Sequence, residues 1–125
     1  MKRTVKVLIA DDNPNVRKTL RNILLSFDCV ITEVETGEDA LDEICREYFD
    51  VIFFDNRLPR DEGIEIIRKA RELNLEMGRI FLMTGFPEKN MKSESQKLGV
   101  FHFQEKNDMD FVNKIRGKFN EAINM

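Results

Sequence analysis

The sequence predicts an α/β fold, in which a five-stranded parallel sheet is covered by helices on both faces. Short apolar runs of strand length alternate along the chain with segments whose apolar residues recur at helical spacing, which is typical of βα units. The 125 residues, of which 42% are hydrophobic and 34% charged, suffice for one buried core beneath a charged surface. We therefore predict one domain over residues 1–125, with five strands and five helices.

The predicted strands differ in how fully they are buried. In chain order they are Val5–Ala10, Val30–Val34, Val51–Phe54, Ile80–Met83 and Val100–Phe103. The first is apolar except for Lys6, as expected of a strand covered on both faces. The second alternates apolar with polar residues, which predicts an edge strand, and the third is the most hydrophobic, which predicts the central one.

The predicted helices have recognisable starts and apolar faces. Pro14 fits the first turn of the first helix, Thr36 or Gly37 begins the second, and Gly63 ends the loop before the third. The predicted buried faces are Val16, Leu20, Ile23 and Leu24; Ala40, Leu41, Ile44 and Cys45; Ile66, Ile67, Ala70 and Leu73; and, in the last helix, Val112, Ile115, Phe119 and Ile123. The fourth helix, within Pro87–Leu98, has few apolar residues, so we expect it to pack loosely and to move most easily.

Composition and charge argue against several classes of function. The 20 Lys+Arg and 23 Asp+Glu give a net charge of −3, whereas direct nucleic-acid binding needs a clustered excess of basic residues. No apolar stretch approaches the roughly 20 residues that span a bilayer. Lys6 and Asp11–Asp12 interrupt the apolar region that a signal peptide requires, which predicts a cytoplasmic protein. No glycine-rich phosphate loop follows the first strand, so a nucleotide site is not indicated.

The cysteines and the histidine are interpreted as structural. Cys29 and Cys45 have neither CxxC nor zinc-site spacing, and both lie in apolar stretches where small thiols are usually buried. His102 lies between Phe101 and Phe103, and strand alternation predicts that it faces away from both. We interpret His102 as a core residue or a surface contact.

Charged and hydroxyl side chains follow four of the predicted strands. They are Asp11 and Asp12 after the first strand, Asp55 after the third, Thr84 after the fourth and Lys106 after the fifth. Because the carboxyl ends of parallel strands meet at one edge of the sheet, we expect one shared site. Two carboxylates about 4 Å apart repel by roughly 4 kcal/mol at an effective dielectric near 20, so a cation must offset them. Carboxylate oxygens suit Mg²⁺, and Lys106 supplies a compact charge suited to a phosphoryl group.

Taken together, Asp11–Asp12, Asp55 with Leu58–Pro59 and Gly63, Thr84–Gly85, and Lys106 resemble the response-regulator receiver domain of two-component signalling. The resemblance covers nearly the whole chain. It implies a flavodoxin-like, doubly wound (β/α)5 fold with strand order 2-1-3-4-5. It also implies a stand-alone signalling protein that catalyses only its own phosphorylation and dephosphorylation and is otherwise not an enzyme.

The resemblance assigns a role to each acidic residue. Asp55 is implied to be the phosphoacceptor, which takes a phosphoryl group from a phosphohistidine. Asp11, Asp12 and Asp55, with the backbone carbonyl of Arg57, are implied to hold Mg²⁺. An ionised carboxylate needs no separate base, and phosphoryl transfer requires mainly positioning and neutralisation of oxygen charge.

The resemblance also implies a switch and a set of partners. Thr84 and Lys106 are implied to contact the phosphoryl group, while Thr84 and Phe103 move together as a switch. The switch would alter the face formed by the fourth helix, fifth strand and fifth helix. The implied partners are a histidine kinase or histidine phosphotransferase and a downstream protein target, with the chain a monomer or a phosphorylation-dependent dimer.

Some residues depart from the family's usual pattern. The family commonly has a proline directly after its lysine, whereas Asn107 follows Lys106 here; a non-proline cis bond costs about 2.5–4 kcal/mol, so we predict a trans peptide or a strained cis one. Val100 is larger than the usual residue near the fifth strand and predicts a restricted switch. Arg57 and Phe86 are bulky at positions that flank the phosphoryl group, which predicts a long-lived aspartyl phosphate.

Two other functions remain open from the sequence. One is a pseudo-receiver, a protein-interaction module that keeps the fold without using the site. The other is an Mg²⁺-dependent phosphatase with an aspartate nucleophile. That class places a second aspartate two residues after the nucleophile, where this chain has Arg57.

Overall fold

The computed structural model describes residues 4–124, and within them one five-stranded parallel sheet is flanked by five helices. The strands are β1 (Val5–Ala10), β2 (Cys29–Val34), β3 (Val51–Asp55), β4 (Arg79–Thr84) and β5 (His102–Glu105). The helices are α1 (Pro14–Leu24), α2 (Gly37–Arg46), α3 (Gly63–Glu72), α4 (Met91–Lys97) and α5 (Phe111–Ile123). The strand order is β2-β1-β3-β4-β5, so the predicted fold class and the order implied by the family resemblance are confirmed.

Burial of the strands follows the hydrophobic pattern. Every residue of β3 is buried, and β3 lies at the centre of the sheet between β1 and β4. The β2 strand lies at an edge and is only partly buried, as its alternating sequence predicts. Parallel pairing in register brings the carboxyl ends of all five strands to one edge of the sheet.

The sheet separates two apolar cores. Val51 and Phe53 of β3 pack toward α1 and α5. The centroid of the Phe53 ring lies 4.7 Å from that of Phe81 on β4 and 6.2 Å from that of Phe119 on α5. Ile52 and Phe54 point to the opposite face, toward α2, α3 and α4. Because successive β3 side chains enter different cores, both faces of this strand are covered, which explains its unbroken apolar sequence.

Capping residues set the starts of the first two helices as predicted. The Asn13 side chain accepts a hydrogen bond from the Asn15 N–H at 2.9 Å, and Pro14 is the first residue of α1. The Thr36 Oγ1 accepts from the Asp39 N–H at 3.0 Å, and Gly37 is the first residue of α2. These caps fix where each helix leaves the loop that precedes it.

Three residues assigned to buried helical faces are exposed instead. Ala40 and Ile44 of α2 are buried, but Cys45 lies about 100° further around the helix and faces solvent. Leu73 follows the end of α3 and is 56% exposed. Val112 of α5 is 40% exposed, because Phe111 packs against the core at that end of the helix instead.

The two cysteines differ in burial. Because Cys45 is exposed, its interpretation as a buried thiol was wrong, whereas Cys29 does pack against the core beneath α1 and α5.

The fifth strand begins two residues later than predicted. It covers His102–Glu105, so Phe101 lies before the strand and outside its alternation. The ring centroids of Phe101 and His102 both lie 5.7 Å from that of Phe81, while Phe103 packs into the other core. The prediction that His102 faces away from Phe103 is confirmed, and the prediction that it faces away from Phe101 is wrong.

The α4 helix has seven residues and few apolar contacts. Met91 and Ser95 are its buried residues, which agrees with the sparse apolar pattern predicted for Pro87–Leu98. Polar contacts from α3 hold it, since Arg71 Nε donates to the Leu98 carbonyl at 2.9 Å. Its mobility stays a prediction. None of the helices within residues 4–124 is long and apolar enough to span a membrane.

Candidate functional site

Three carboxylates converge at the carboxyl edge of the sheet. Asp11 directly follows β1, Asp12 follows it, and Asp55 ends β3. One carboxylate oxygen from each lies within 4.8 Å of the others. Asp11 and Asp55 are buried, whereas Asp12 is exposed and faces water. These hard oxygen donors, two held by the protein and one at the surface, fit a small divalent cation that retains several water ligands.

Lys106 is the positive charge that the structure places against this cluster. Its Nζ lies 2.9 Å from Asp11 Oδ2 and 3.0 Å from Asp55 Oδ1, and its side chain is 18% exposed. The Lys106 N–H donates to the Thr84 carbonyl at 2.7 Å, which extends the ladder between β4 and β5 by one residue. Residues 4–124 contain no cis peptide bond, so the predicted trans bond after Lys106 is confirmed.

The pKa values of the two partners are shifted by burial and by each other. Burial raises the pKa of Asp55, the charge of Asp11 raises it further, and the charge and hydrogen bond of Lys106 oppose both effects. Burial alone would lower the pKa of Lys106, but the hydrogen bond to Asp11 and the charges of Asp11 and Asp55 raise it above its usual range. Lys106 is therefore held as an ammonium group between two carboxylates.

Backbone and side-chain donors fix the orientation of Asp11. The Asn13 N–H donates to Asp11 Oδ1 at 2.9 Å, so both carboxylate oxygens of Asp11 have partners once Lys106 is counted. Arg17 Nη1 donates to the Asp11 carbonyl at 2.8 Å, and Arg17 Nε donates to Glu33 on β2 at 3.1 Å. Sequence reasoning missed Arg17, because nothing in the local pattern shows that a residue of α1 reaches back to the end of β1.

Asn56, also missed from the sequence, organises the loop after the central strand. It is 3% exposed, its N–H donates to the Met83 carbonyl at 2.8 Å, and its Oδ1 accepts from the Ile64 N–H at 3.1 Å. The Gly63 N–H donates to the Asn56 carbonyl at 2.8 Å. An asparagine directly after a fully apolar strand and an aspartate was the available signal. These bonds close the loop between Asp55 and α3.

Gly63 allows the chain to pass close to the Asp55 backbone. A Cβ atom at residue 63 would lie 2.4 Å from the Asp55 carbonyl oxygen, closer than side-chain carbons approach backbone oxygens. Between these residues, Arg57–Leu58 and Asp61–Glu62 form a short antiparallel ribbon. The glycine therefore lets α3 begin directly against the end of β3.

Arg57 and Phe86 come together beside the acidic cluster. The Arg57 backbone N–H opposes the rise in the pKa of Asp55, and the Arg57 guanidinium lies 4.5 Å from the centroid of the Phe86 ring. The Phe86 N–H donates to Thr84 Oγ1 at 3.1 Å. A cation–π contact thus joins the loop after β3 to the loop after β4.

Phe103 lies on the face predicted to contact a target. It is half-buried against the core beneath α2, α3 and α4, and Val100 packs against the same core. Phe103, His102 and Gly117 line a groove of about 1020 Å³ between α4, β5 and α5. Burial lowers the pKa of His102, and its Nε2 lies 2.8 Å from Gln104 Oε1.

The chain is similar to signalling proteins of known family. Residues 7–115 match the family described as response regulator receiver domain. Over 108 residues the chain is 31% identical to sporulation initiation phosphotransferase F of Bacillus subtilis, covering 86% of each protein. It is 31% identical over 108 residues to the peroxide stress-activated histidine kinase mak3 of Schizosaccharomyces pombe, covering 81% of this chain and 5% of the kinase. The chain thus spans most of one relative and a small part of the other.

Solved structures of receiver domains share the fold. A CheY-like response regulator receiver domain protein from Methanospirillum hungatei superposes with a TM-score of 0.78 at 27% identity, covering 96% of this chain and 97% of that one. The receiver domain of the Francisella response regulator 1452 gives a TM-score of 0.83 at 22% identity, covering 97% and 98%. The latter likeness concerns the fold alone.

Proposed function

This chain belongs to the response regulator receiver domain family, and on that premise we propose that it serves phosphorelay signalling by accepting a phosphoryl group on Asp55. The observation that carries the proposal is the contact of Lys106 with two of three clustered carboxylates. A cluster of this charge and burial is costly unless cations, such as Lys106 and a bound metal ion, offset it. Membership of the receiver family accounts for this electrostatic cost, because we propose that the cluster takes part in phosphoryl transfer.

We propose that Asp55 is the nucleophile. One Asp55 carboxylate oxygen attacks the phosphorus of a phosphohistidine; the new O–P bond forms as the P–N bond breaks, and the imidazole leaves with the electron pair and takes up a proton. Burial and the charge of Asp11 raise the pKa of Asp55, which makes its carboxylate more basic, and the charge of Lys106 opposes that rise. Lys106 then pairs with the phosphoryl oxygens as their charge develops.

Asp11, Asp12, Asp55 and the backbone carbonyl of Arg57 are the proposed protein ligands of Mg²⁺. When bound, the ion neutralises phosphoryl oxygen charge and orients the transferring group. Asp11 is held by Asn13 and Lys106, whereas Asp12 is exposed and is the carboxylate best placed to exchange water for a metal contact. Asp11 and Asp55 are both buried, so the surrounding protein holds their carboxylates in place.

Thr84 and Phe103 are proposed to report phosphorylation to the groove between α4, β5 and α5. Thr84 Oγ1 accepts from the Phe86 N–H, so its own hydroxyl proton remains available for donation to a phosphoryl oxygen. Phe103 lies next to β4 in the sheet and lines the groove, where a change in its packing would alter the surface. The proposed partners are a histidine kinase or phosphotransferase and a downstream protein; a cytoplasmic location and phosphorylation-dependent dimerisation stay predictions.

Arg57 and Phe86 are proposed to prolong the life of the aspartyl phosphate. Their stacked side chains lie on the loops that flank Asp55, where they would hinder an attacking water. Replacing both with alanine should speed loss of the phosphoryl group severalfold, as measured by intact mass after the donor is removed. An unchanged decay rate would show that the pair does not shield the acyl phosphate.

The direct test is an intact-mass time course with acetyl phosphate or phosphoramidate, with and without Mg²⁺. We expect one phosphoryl addition that requires Mg²⁺ and is lost in Asp55→Asn. Asp42→Asn, which removes an exposed carboxylate on α2 outside the cluster, should behave as the parent. A folded parent protein that takes up no phosphoryl group would favour the pseudo-receiver instead. The phosphatase alternative lacks its second aspartate, since Arg57 stands there.

A further inference from the structure

Asn107 makes a contact across the mouth of the site that none of the proposed roles uses. Its Nδ2 donates to the Gly85 carbonyl at 2.9 Å. Asn107 directly follows Lys106 and Gly85 directly follows Thr84, so the bond joins the two loops that leave adjacent strands. Together with the Lys106 N–H bond to the Thr84 carbonyl, it continues the connection between β4 and β5 beyond the sheet.

The loop that carries Asn107 is itself well ordered by hydrogen bonds. The Asp108 N–H donates to the Glu105 carbonyl at 3.3 Å, and Asp108 Oδ1 accepts from the Asp110 N–H at 2.8 Å. The Lys114 ammonium on α5 lies 2.5 Å from Asp108 Oδ2. Asn107 therefore projects from a turn anchored to both β5 and α5, which can serve as the fixed side of the contact.

The loop on the other side has much weaker support. A Cβ at Gly85 would meet no atom within 4 Å, and the Phe86 side chain is 64% exposed. Beyond Thr84, this segment is held by the Phe86 N–H bond to Thr84 Oγ1, the Arg57–Phe86 stacking and the Asn107 bond. Because little apolar surface is buried here, the loss of one polar contact should let the segment open.

We propose that Asn107 is a positioning residue that holds Gly85 and Phe86 beside the phosphoacceptor and so slows hydrolysis of the aspartyl phosphate. This inference rests on the proposed function of Asp55. The asparagine amide donates a hydrogen bond that a proline, the residue common at this place in the family, could not. The three loops after β3, β4 and β5 are thereby joined in series through Arg57, Phe86, Gly85 and Asn107.

Asn107→Ala provides the sharpest variant, because it removes the N–H donor without adding charge beside the acidic cluster. Asn107→Asp keeps the shape of the side chain and removes the donor, but it adds a negative charge next to Lys106. Asn124→Asp is the matched control: Asn124 Nδ2 donates to the Asn120 carbonyl at 2.8 Å, at the far end of α5. Loss of one such bond should speed dephosphorylation roughly threefold to tenfold, while the rate of phosphoryl uptake changes little.

Two readouts test the inference. Amide hydrogen exchange should rise at Phe86 in both Asn107 variants while the amides of β3 remain protected, and intact-mass decay of the phosphorylated protein should accelerate in parallel. A parent protein that accepts phosphate while the Asn107 variants lose it at the parent's rate would overturn this inference and leave the proposed function standing. Unchanged exchange at Phe86 would also overturn it. A parent that accepts no phosphate would overturn both proposals.

Discussion

Replacing Lys106 by methionine should destabilise the protein far more than removal of a surface lysine does. The side chains have similar length, so the variant chiefly removes the charge that lies 2.9 Å from Asp11 and 3.0 Å from Asp55. At 3 Å and an effective dielectric near 20, each attraction amounts to roughly 5 kcal/mol before desolvation is subtracted. Breaking a buried ion pair typically costs about 3–5 kcal/mol. Since Lys106 keeps some contact with water, we expect a loss of about 3 kcal/mol.

The assay is urea denaturation in EDTA, with the free energy of unfolding taken from linear extrapolation. Lys114→Met is the matched control, because its pair with Asp108 is exposed and should contribute less than about 1 kcal/mol. Adding Asp55→Asn to Lys106→Met should recover part of the loss, since one uncompensated carboxylate is removed. Mg²⁺ should stabilise Lys106→Met more than the parent, because the ion replaces the missing charge.

The pH dependence of the same difference has a defined sign. The pKa of Lys106 is raised above its ordinary value of 10.5 in the folded protein, so its stabilisation is fully present below that value. As the pH rises through the folded pKa the ammonium loses its proton, and the parent should approach the stability of Lys106→Met. A loss no larger than that of Lys114→Met at pH 7 would refute the reasoning that this lysine is buried between two carboxylates.

Two further predictions concern the loop glycine and the thiols. Gly63→Ala should destabilise the protein by about 1–3 kcal/mol, because its Cβ would lie 2.4 Å from the Asp55 carbonyl oxygen, whereas Gly117→Ala, with no atom within 4 Å, should be neutral or stabilising in urea denaturation. Equal effects would contradict the close approach. Burial and a neighbouring aspartate raise the pKa of Cys29 to about 11, while Cys45 is exposed, so iodoacetamide at pH 8 should modify Cys45 first. Peptide mapping that finds equal modification of both would contradict this.

The fold could be predicted because the sheet is parallel and deeply buried. Strands covered on both faces leave unbroken apolar runs such as Val51–Phe54, and caps such as Thr36 mark helix starts chemically. One error lies where long-range pairing determines the structure: β5 starts at His102, where its pairing with β4 begins. A second concerns Cys45, which lies about 100° around α2 from the buried Ile44 and is exposed.

The candidate site was predictable to the extent that its residues end strands. Topology alone brings Asp11, Asp55 and Lys106 to one edge, and the structure places them in contact. The supporting residues were not predictable, because their contacts cross between structural elements and follow no helical or strand spacing. Arg17 reaches back to the Asp11 carbonyl, and Asn107 crosses to a loop 22 residues earlier, contacts that no local pattern encodes.

The most direct test of the central claim is to locate the phosphoryl group by chemical trapping. After incubation with Mg²⁺ and acetyl phosphate, borohydride reduces an aspartyl phosphate to homoserine, and peptide mass spectrometry identifies the modified residue. We predict homoserine at position 55 alone, dependent on Mg²⁺ and on the phosphodonor. Homoserine at another aspartate, or none in a protein that remains folded and Mg²⁺-bound, would contradict the assignment of Asp55 as the phosphoacceptor.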